Sequence, residues 1–372
     1  MQHLYAYQRC RRANYELAFD EIREAFAPDL NSMEVQDPAE LGRQREQANQ
    51  LLKARLEGRL RSGKSPDKIE KVVREALQGY EARCQKDQRF LRNQMVVRTE
   101  KISDDYLRFL LLPDMLRQEA EREARKKSAA DGSVRLASNR LLLDLQASDE
   151  LQRRVAAKKL SWEAYRSEVY LLFKNAIKSD TQYWEYQALA EPTRTDDGAI
   201  IRHLISTVAL NNEAIINIFE EEGGHWEEDR KIVKSLLNRT FKAWEKQKDA
   251  RIEIASLTPN WEDDRAFFEE LYDVTLRNDE EYEQLISDTS ENWAADRIAS
   301  LDNVIMKMAV AEMIHFPSIP VKVTINEYVD ISKLYSTQKS RQFVNGMLDI
   351  MAQELQKKKL IRKSGRGLMD NQ

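Results

Sequence analysis

The chain has 372 residues, of which 33% are charged and 42% hydrophobic, with a formal net charge of -4 and a mean hydropathy of -0.67. Leucines and aromatics recur throughout, so this composition describes a folded, highly charged helical protein of two or three domains rather than a disordered one. No hydrophobic run approaches the roughly 18 residues of a membrane helix, and Gln8, Arg9, Arg11 and Arg12 interrupt the first segment too early for a signal peptide, so a cytoplasmic protein is expected.

Residues 1–26 read as one helix ending before Pro28, with Leu4, Tyr7, Tyr15 and Leu17 on its buried side. Asp37-Pro38 predicts the next start, an N-cap followed by proline at the first helical position. Residues 39–61, rich in Arg, Gln, Glu and Leu, predict a long solvated helix, and the turn at Gly63 to Pro66 predicts another from Asp67. The apolar patch Tyr106 to Leu112 is bounded by Pro113, and the run EAEREARKK at 119–127 reads as a charged helix face. SAADGS at 128–133 is the best linker. Further on, Trp162-Glu-Ala-Tyr-Arg166, Trp226-Glu-Glu-Asp-Arg230, Trp261-Glu-Asp-Asp-Arg265 and Trp293-Ala-Ala-Asp-Arg297 mark similar helix starts, with Thr195-Asp-Asp197 between the first two. Acidic groups there suit the positive end of a helix dipole, and the tryptophan suits a hydrophobic staple. These starts are either a degenerate helical-hairpin repeat or ordinary helix-start chemistry recurring.

The final region reads as three helices with polar and glycine positions on their apolar faces. Leu301, Val304, Ile305 and Met308 form a stripe onto which Glu312 also falls, and a buried carboxylate needs a partner. Pro317 and Pro320 break the helix. The next carries Ile325, Val329 and Ser332, with Asn326 and Glu327 as candidates to serve Glu312 or a loose backbone end. The last places Phe343, Met347 and Met351 along a stripe that also holds Asn345 and Gly346, where close packing would explain the glycine.

Chemistry-bearing motifs are absent. His3, His203, His225 and His315 include no pair at i, i+3 or i+4 and none is joined to a cysteine at ligand spacing. Cys10 and Cys84 lack CxxC spacing and read as reduced thiols. There is no phosphate loop, dinucleotide fingerprint or nucleophile elbow. No metal, no cofactor and no catalysis are expected.

The run IPVKVTINEYVDISKLYS followed by QFVNGMLD resembles the C-terminal signature of the NusB family of transcription antitermination factors. MQHLYAYQ at 1–8 resembles the end of that family's first helix, 261–300 fits its central hairpin, and residues from about 160 onward resemble the insertion of its long versions. The resemblance implies an all-α, NusB-like helical bundle with a long helical insertion. Its expected divisions are residues 1–29 as the first helix, 30–255 as the insertion, 256–358 as the core and 359–372 as a basic flexible tail.

It further implies a non-enzymatic factor that binds boxA-type nascent RNA together with NusE, a small-subunit ribosomal protein. The pair would help assemble an antitermination complex on RNA polymerase, notably in ribosomal RNA transcription. Carried over by position, Lys339, Gln342 and Phe343, with Arg341 beside them and Lys307 at a basic family position, are the expected RNA contacts. Tyr5, Asp296 and Asp302 are the expected NusE contacts, and Glu312, Asn326, Glu327, Asn345 and Gly346 belong to the fold. Phe343 is equally suited to the core. The arginine-rich segment that precedes LYA in the family has no match here, and an upstream extension encoding arginines is expected to supply it. Without it, a helical interaction scaffold that does not bind RNA is the alternative. An RNA methyltransferase is a poorer one, since the signature is C-terminal and no cofactor loop precedes it.

Overall fold

A computed structural model describes residues 1–29, 31, 35–59, 66–126, 134–223, 225–247, 249–290 and 299–371. The expected linker at 128–133, the turn residues 63–65 and the helix start at Trp293 lie outside them. Among the described residues the secondary structure is entirely helical, as expected of an all-α chain. Two compact units result, one of residues 1–95 and 262–372 and the other of residues 96–261.

In the first unit, α1 (Gln2–Ala25) buries Leu4, Asn14, Ala18 and Ile22. Tyr7 and Tyr15 are half-buried, but Leu17, expected inside, is 47% exposed. Ala18 and Ile22 are spaced i, i+4 on one face, and Leu17 stands about 100° off it. That face closes on Ala48 and Leu52 of α2 (Pro38–Leu56) and on Ile69, Val73 and Ala76 of α3 (Asp67–Lys126). Residues 35–95, expected within an insertion, thus share a compact unit with α1. At the start of α2, Asp37 accepts from the Ala39 N–H at 2.9 Å and Pro38 fills the first turn.

Helix α3 continues through Pro113 instead of ending there. An interior proline costs about 3 kcal/mol and leaves the Phe109 carbonyl without its helical donor. Tyr106, Phe109, Leu110, Leu112 and Leu116 are all buried around it, and at about 1.5–3 kcal/mol each their packing outweighs that cost. One residue away, the Trp162 indole N–H donates to the Arg108 carbonyl at 2.7 Å.

From Val96 onward α3 belongs to the second unit, with α4 (Val134–Ala137), α5 (Arg140–Ala147), α6 (Asp149–Lys158), α7 (Arg166–Asn175), α8 (Thr181–Ala188), α9 (Arg194–His203), α10 (Glu213–Gly223) and α11 (Trp226–Lys246). Its core is aromatic: Phe109 stacks on Phe219 at 5.0 Å and on Trp226 at 5.5 Å, with Trp162 edge-on at 5.7 Å. Two of the tryptophan starts open α-helices, while Trp162 precedes a 3-10 turn, Glu163–Tyr165, that leads into α7. Trp226 opens α11 ahead of Glu227, Glu228 and Asp229, and Trp261 opens α12 (Trp261–Arg277) ahead of Glu262, Asp263 and Asp264. Asp197 differs from these capping acids. It is buried, taking 2.6 Å hydrogen bonds from Arg140 Nε and the Tyr186 hydroxyl, while Thr193 and Asp196 form the capping box of α9.

The first unit resumes with α12, α13 (Asp279–Ser290), α14 (Ser300–His315), α15 (Val321–Tyr335) and α16 (Gln338–Lys357). Every residue of α14 from Val304 to Met313 is buried, so it is the central helix rather than one with a single apolar stripe. Helices α15 and α16 pack on it and on each other.

Candidate nucleic-acid interface

The corner where α15 ends and α16 begins gathers most of the expected RNA contacts. Thr337 caps α16 by accepting from the Ser340 N–H at 3.2 Å, which fixes the first turn and leaves other backbone donors open at its positive end. Lys339, Arg341 and Gln342 stand exposed on that turn, and neither cation has an acidic partner among the described residues. Arg341 and Gln342 line a groove of about 510 Å³ with Gln338, Val329 and Asn345. Phe343 is half-buried against the core of the unit, so one part of its ring supports the fold. Helix α1 reaches the same corner: Gln2 Nε2 donates to the Tyr335 hydroxyl at 3.4 Å. Tyr5 packs beside the core with the Arg9 guanidinium 5.9 Å from its ring centre.

Three expectations change. Lys307 is 3% exposed, with its ammonium 2.5 Å from Asp279 and 2.7 Å from Glu283, so its charge is already neutralised inside the bundle and not offered to phosphate. The all-round burial of α14 is the reason. Asp302 is likewise 2% exposed and does not present a carboxylate to a partner, although its Oδ1 has no hydrogen-bond partner among the described residues. Asp296 lies outside the described residues. Finally, Glu312 is not served by Asn326 or Glu327, which are exposed. It accepts from the Thr324 hydroxyl at 2.8 Å and the Tyr328 hydroxyl at 3.0 Å. Burial pushes its carboxyl above the ordinary range despite those two bonds.

Thr324 and Tyr328 are the residues that the sequence reading missed. The signal was present: Val321, Thr324, Ile325, Tyr328, Val329 and Ser332 keep helical spacing, so all face inward together. Asn345 is exposed and its amide donates to Asp349 at 3.3 Å, while Gly346 is half-buried. Among the described residues no cluster of three or more His, Cys, Asp or Glu side chains is arranged to hold a metal. No helix among them is long and apolar enough to cross a membrane.

The NusB family matches residues 229–353. A transcription antitermination protein NusB of Koribacter versatilis is 35% identical over 119 residues, which are 32% of this chain and 73% of that protein. This chain belongs to the NusB family. Its counterparts of the same name in Chloroherpeton thalassium and Salinibacter ruber are 39% and 38% identical over 28% of the chain. The chain spans 49% and 66% of the length of those two relatives. No solved structure matches it. The match takes in most of α11, α12 to α15 and most of α16, and therefore the groove at the head of α16.

Proposed function

We propose that the protein is a non-catalytic transcription antitermination factor of the cytoplasm that binds boxA-type single-stranded RNA together with NusE. Antitermination is what the names of its relatives state of them; RNA and NusE follow from the resemblance of the signature. The observation that carries the RNA reading is the head of α16. Two exposed cations without acidic partners among the described residues, and an amide, sit beside a partly exposed phenyl ring and a helix N-terminus. Single strands are held by such a combination of phosphate contacts, backbone donors and ring faces. Tyr5, on the adjoining part of α1, remains the best-placed candidate for NusE. On this reading α1 and residues 256–358 form the family body and 30–255 the insertion, with the family match itself reaching back to residue 229 in α11.

The test is fluorescence anisotropy of a labelled boxA-like RNA with and without NusE. Tight binding that NusE strengthens and salt weakens is expected, with Lys339→Ala and Arg341→Ala together lowering the log–log salt slope by roughly 1.4, at about 0.7 per phosphate contact. NusE binding without RNA binding would replace this reading with that of a scaffold.

A further inference from the structure

The family match ends at residue 353, and the segment beyond it has a chemistry of its own. Residues 357–366, KKKLIRKSGR, hold six cations and no acid in a chain of net charge -4. Expected as a flexible tail, this segment is tied to the fold. Helix α16 closes in a Schellman pattern, with the Leu360 N–H on the Leu355 carbonyl and the Lys359 N–H on the Gln356 carbonyl, both at 2.9 Å, and Lys359 in the left-handed region at φ 56°. Ile361 then packs against the core of the unit. Lys363 Nζ donates to the Phe316 carbonyl at 3.0 Å and the Ser364 N–H to the Pro317 carbonyl at 2.9 Å. These carbonyls lie at the end of α14, where helices lack donors. Gly367 lies so close that a Cβ there would stand 2.1 Å from the Pro317 oxygen.

Docking fixes the backbone and turns the charges outward. Lys357, Lys358, Lys359, Arg362 and Arg366 are exposed, and none has an acidic partner among the described residues. This contrasts with Arg92, Arg108 and Lys307, each of which meets two carboxylates. Unpaired like charges held on an ordered strip concentrate positive potential there, which an anion that lies along it would neutralise. We propose that residues 357–366 form a second contact surface for the RNA, a strip that grips the phosphate backbone beyond the bases read at the head of α16. The proposal rests on the RNA reading above and extends it to residues outside the family match. Phosphates are the fitting partner because the strip runs from the last residue of α16 through an extended stretch to the start of a short 3-10 turn at Gly365, pinned to the core along the way. It does not form the amphipathic helix that lies in a lipid surface. Pre-ordering also lowers the entropy lost when the cations engage.

The experiment compares the full-length chain with the variant Lys357→Gln, Lys358→Gln, Arg362→Gln and Arg366→Gln. This variant leaves Lys359 at the helix end and Lys363 on Phe316. Binding of a labelled boxA-like RNA, and of the same RNA extended by an unrelated single strand, is followed across a range of KCl. The expected result is that the extended RNA binds the parent more tightly than the short one. The variant should lose that gain, with its salt slope smaller by roughly 2–3 for four contacts at about 0.7 each. Gly367→Ala, which keeps every charge but undocks the strip, should weaken the extended RNA several-fold. An unchanged slope in the charge variant, with the parent still binding RNA, overturns the strip and leaves the α16 reading standing. Absence of RNA binding by the parent overturns both. Binding to phosphatidylglycerol vesicles that is lost in the variant, with RNA binding unaltered, overturns it in favour of a lipid surface.

Discussion

Two buried charges, one in each compact unit, are accommodated in opposite ways. In the unit of residues 96–261, Arg108 is 7% exposed and meets the two Glu222 oxygens at 2.7 Å each, with its guanidinium 4.2 Å from the Phe219 ring centre. Burial would raise the Glu222 carboxyl, but hydrogen bonds from Arg108 and Tyr165, with the Arg108 and Lys101 charges, outweigh it and hold the pKa at about 2. In α14, Glu312 has two neutral hydroxyls as its hydrogen-bond partners, so desolvation dominates and its carboxyl titrates above the ordinary range. A cation at hydrogen-bond distance therefore decides whether a desolvated carboxylate, the partly exposed Glu222 or the buried Glu312, favours its charged form. The Arg108 pair stabilises the charged state, while the Glu312 site tolerates it.

The largest effect should come from breaking the ion pair. Glu222→Gln leaves Arg108 with Asp105 at 3.4 Å, and because Glu222 itself is partly open to solvent a loss of about 1.5–3 kcal/mol is expected, the range for hydrogen bonds to charged groups. Urea unfolding followed by tryptophan fluorescence reads this directly, since Trp162, Trp184, Trp226, Trp244 and Trp261 lie in that unit. A loss of less than about 1 kcal/mol would mean that Asp105 and the aromatic faces suffice to hold the guanidinium. Next comes overpacking: a Cβ at Gly198 in α9 would meet the Glu245 side chain at 2.4 Å, whereas one at Gly79 in α3 meets the side-chain tips of Arg83 at 3.2 Å and Glu21 at 3.4 Å, which can shift. Gly198→Ala should cost about 1–3 kcal/mol, and Gly79→Ala should gain up to about 1 kcal/mol from helix propensity. Thermal melts that rank them in reverse would refute the packing argument.

Removing one hydroxyl from Glu312, by Thr324→Val or Tyr328→Phe, should cost about 1–3 kcal/mol at neutral pH. The pH dependences should have opposite signs. The Glu222 contribution is complete above its ordinary value of 4.5 and is lost as pH falls toward about 2. That of Glu312 is complete below 4.5 and is lost as pH rises through its raised folded-state value. Glu312→Gln should therefore gain on the parent as pH rises, and parallel stability curves for the two proteins would contradict it. The smallest stability change belongs to Gln342→Ala, which should weaken RNA binding at unchanged melting temperature. Phe343→Ala, half-buried against the core, should lower both, and a pure binding effect would make the ring a stacking platform alone.

How far the sequence reached depended on whether a feature was local. The α2 start at Asp37-Pro38, the tryptophan-acid starts of α11 and α12, and the break at Pro317 were legible because capping and proline chemistry act within one turn. The family signature was legible for the same reason: its spacing is written in α15 and α16. Partners were not legible. Glu312 declared itself buried by period, yet which residues served it depended on the face α15 turns toward α14. Lys307 matched a basic position, and only the closure of α13 on α14 converted it into an internal ion pair.

The sequence by itself determined the all-helical class, most helix starts and the family, since these follow from periodicity, capping and spacing along one chain. Tertiary structure alone decided that α3 runs through Pro113, that Leu17 faces water, and that residues 357–366 are a docked strip. Each of these turns on contacts between distant residues, whose packing energy exceeds local preference and leaves no mark in any short window of sequence.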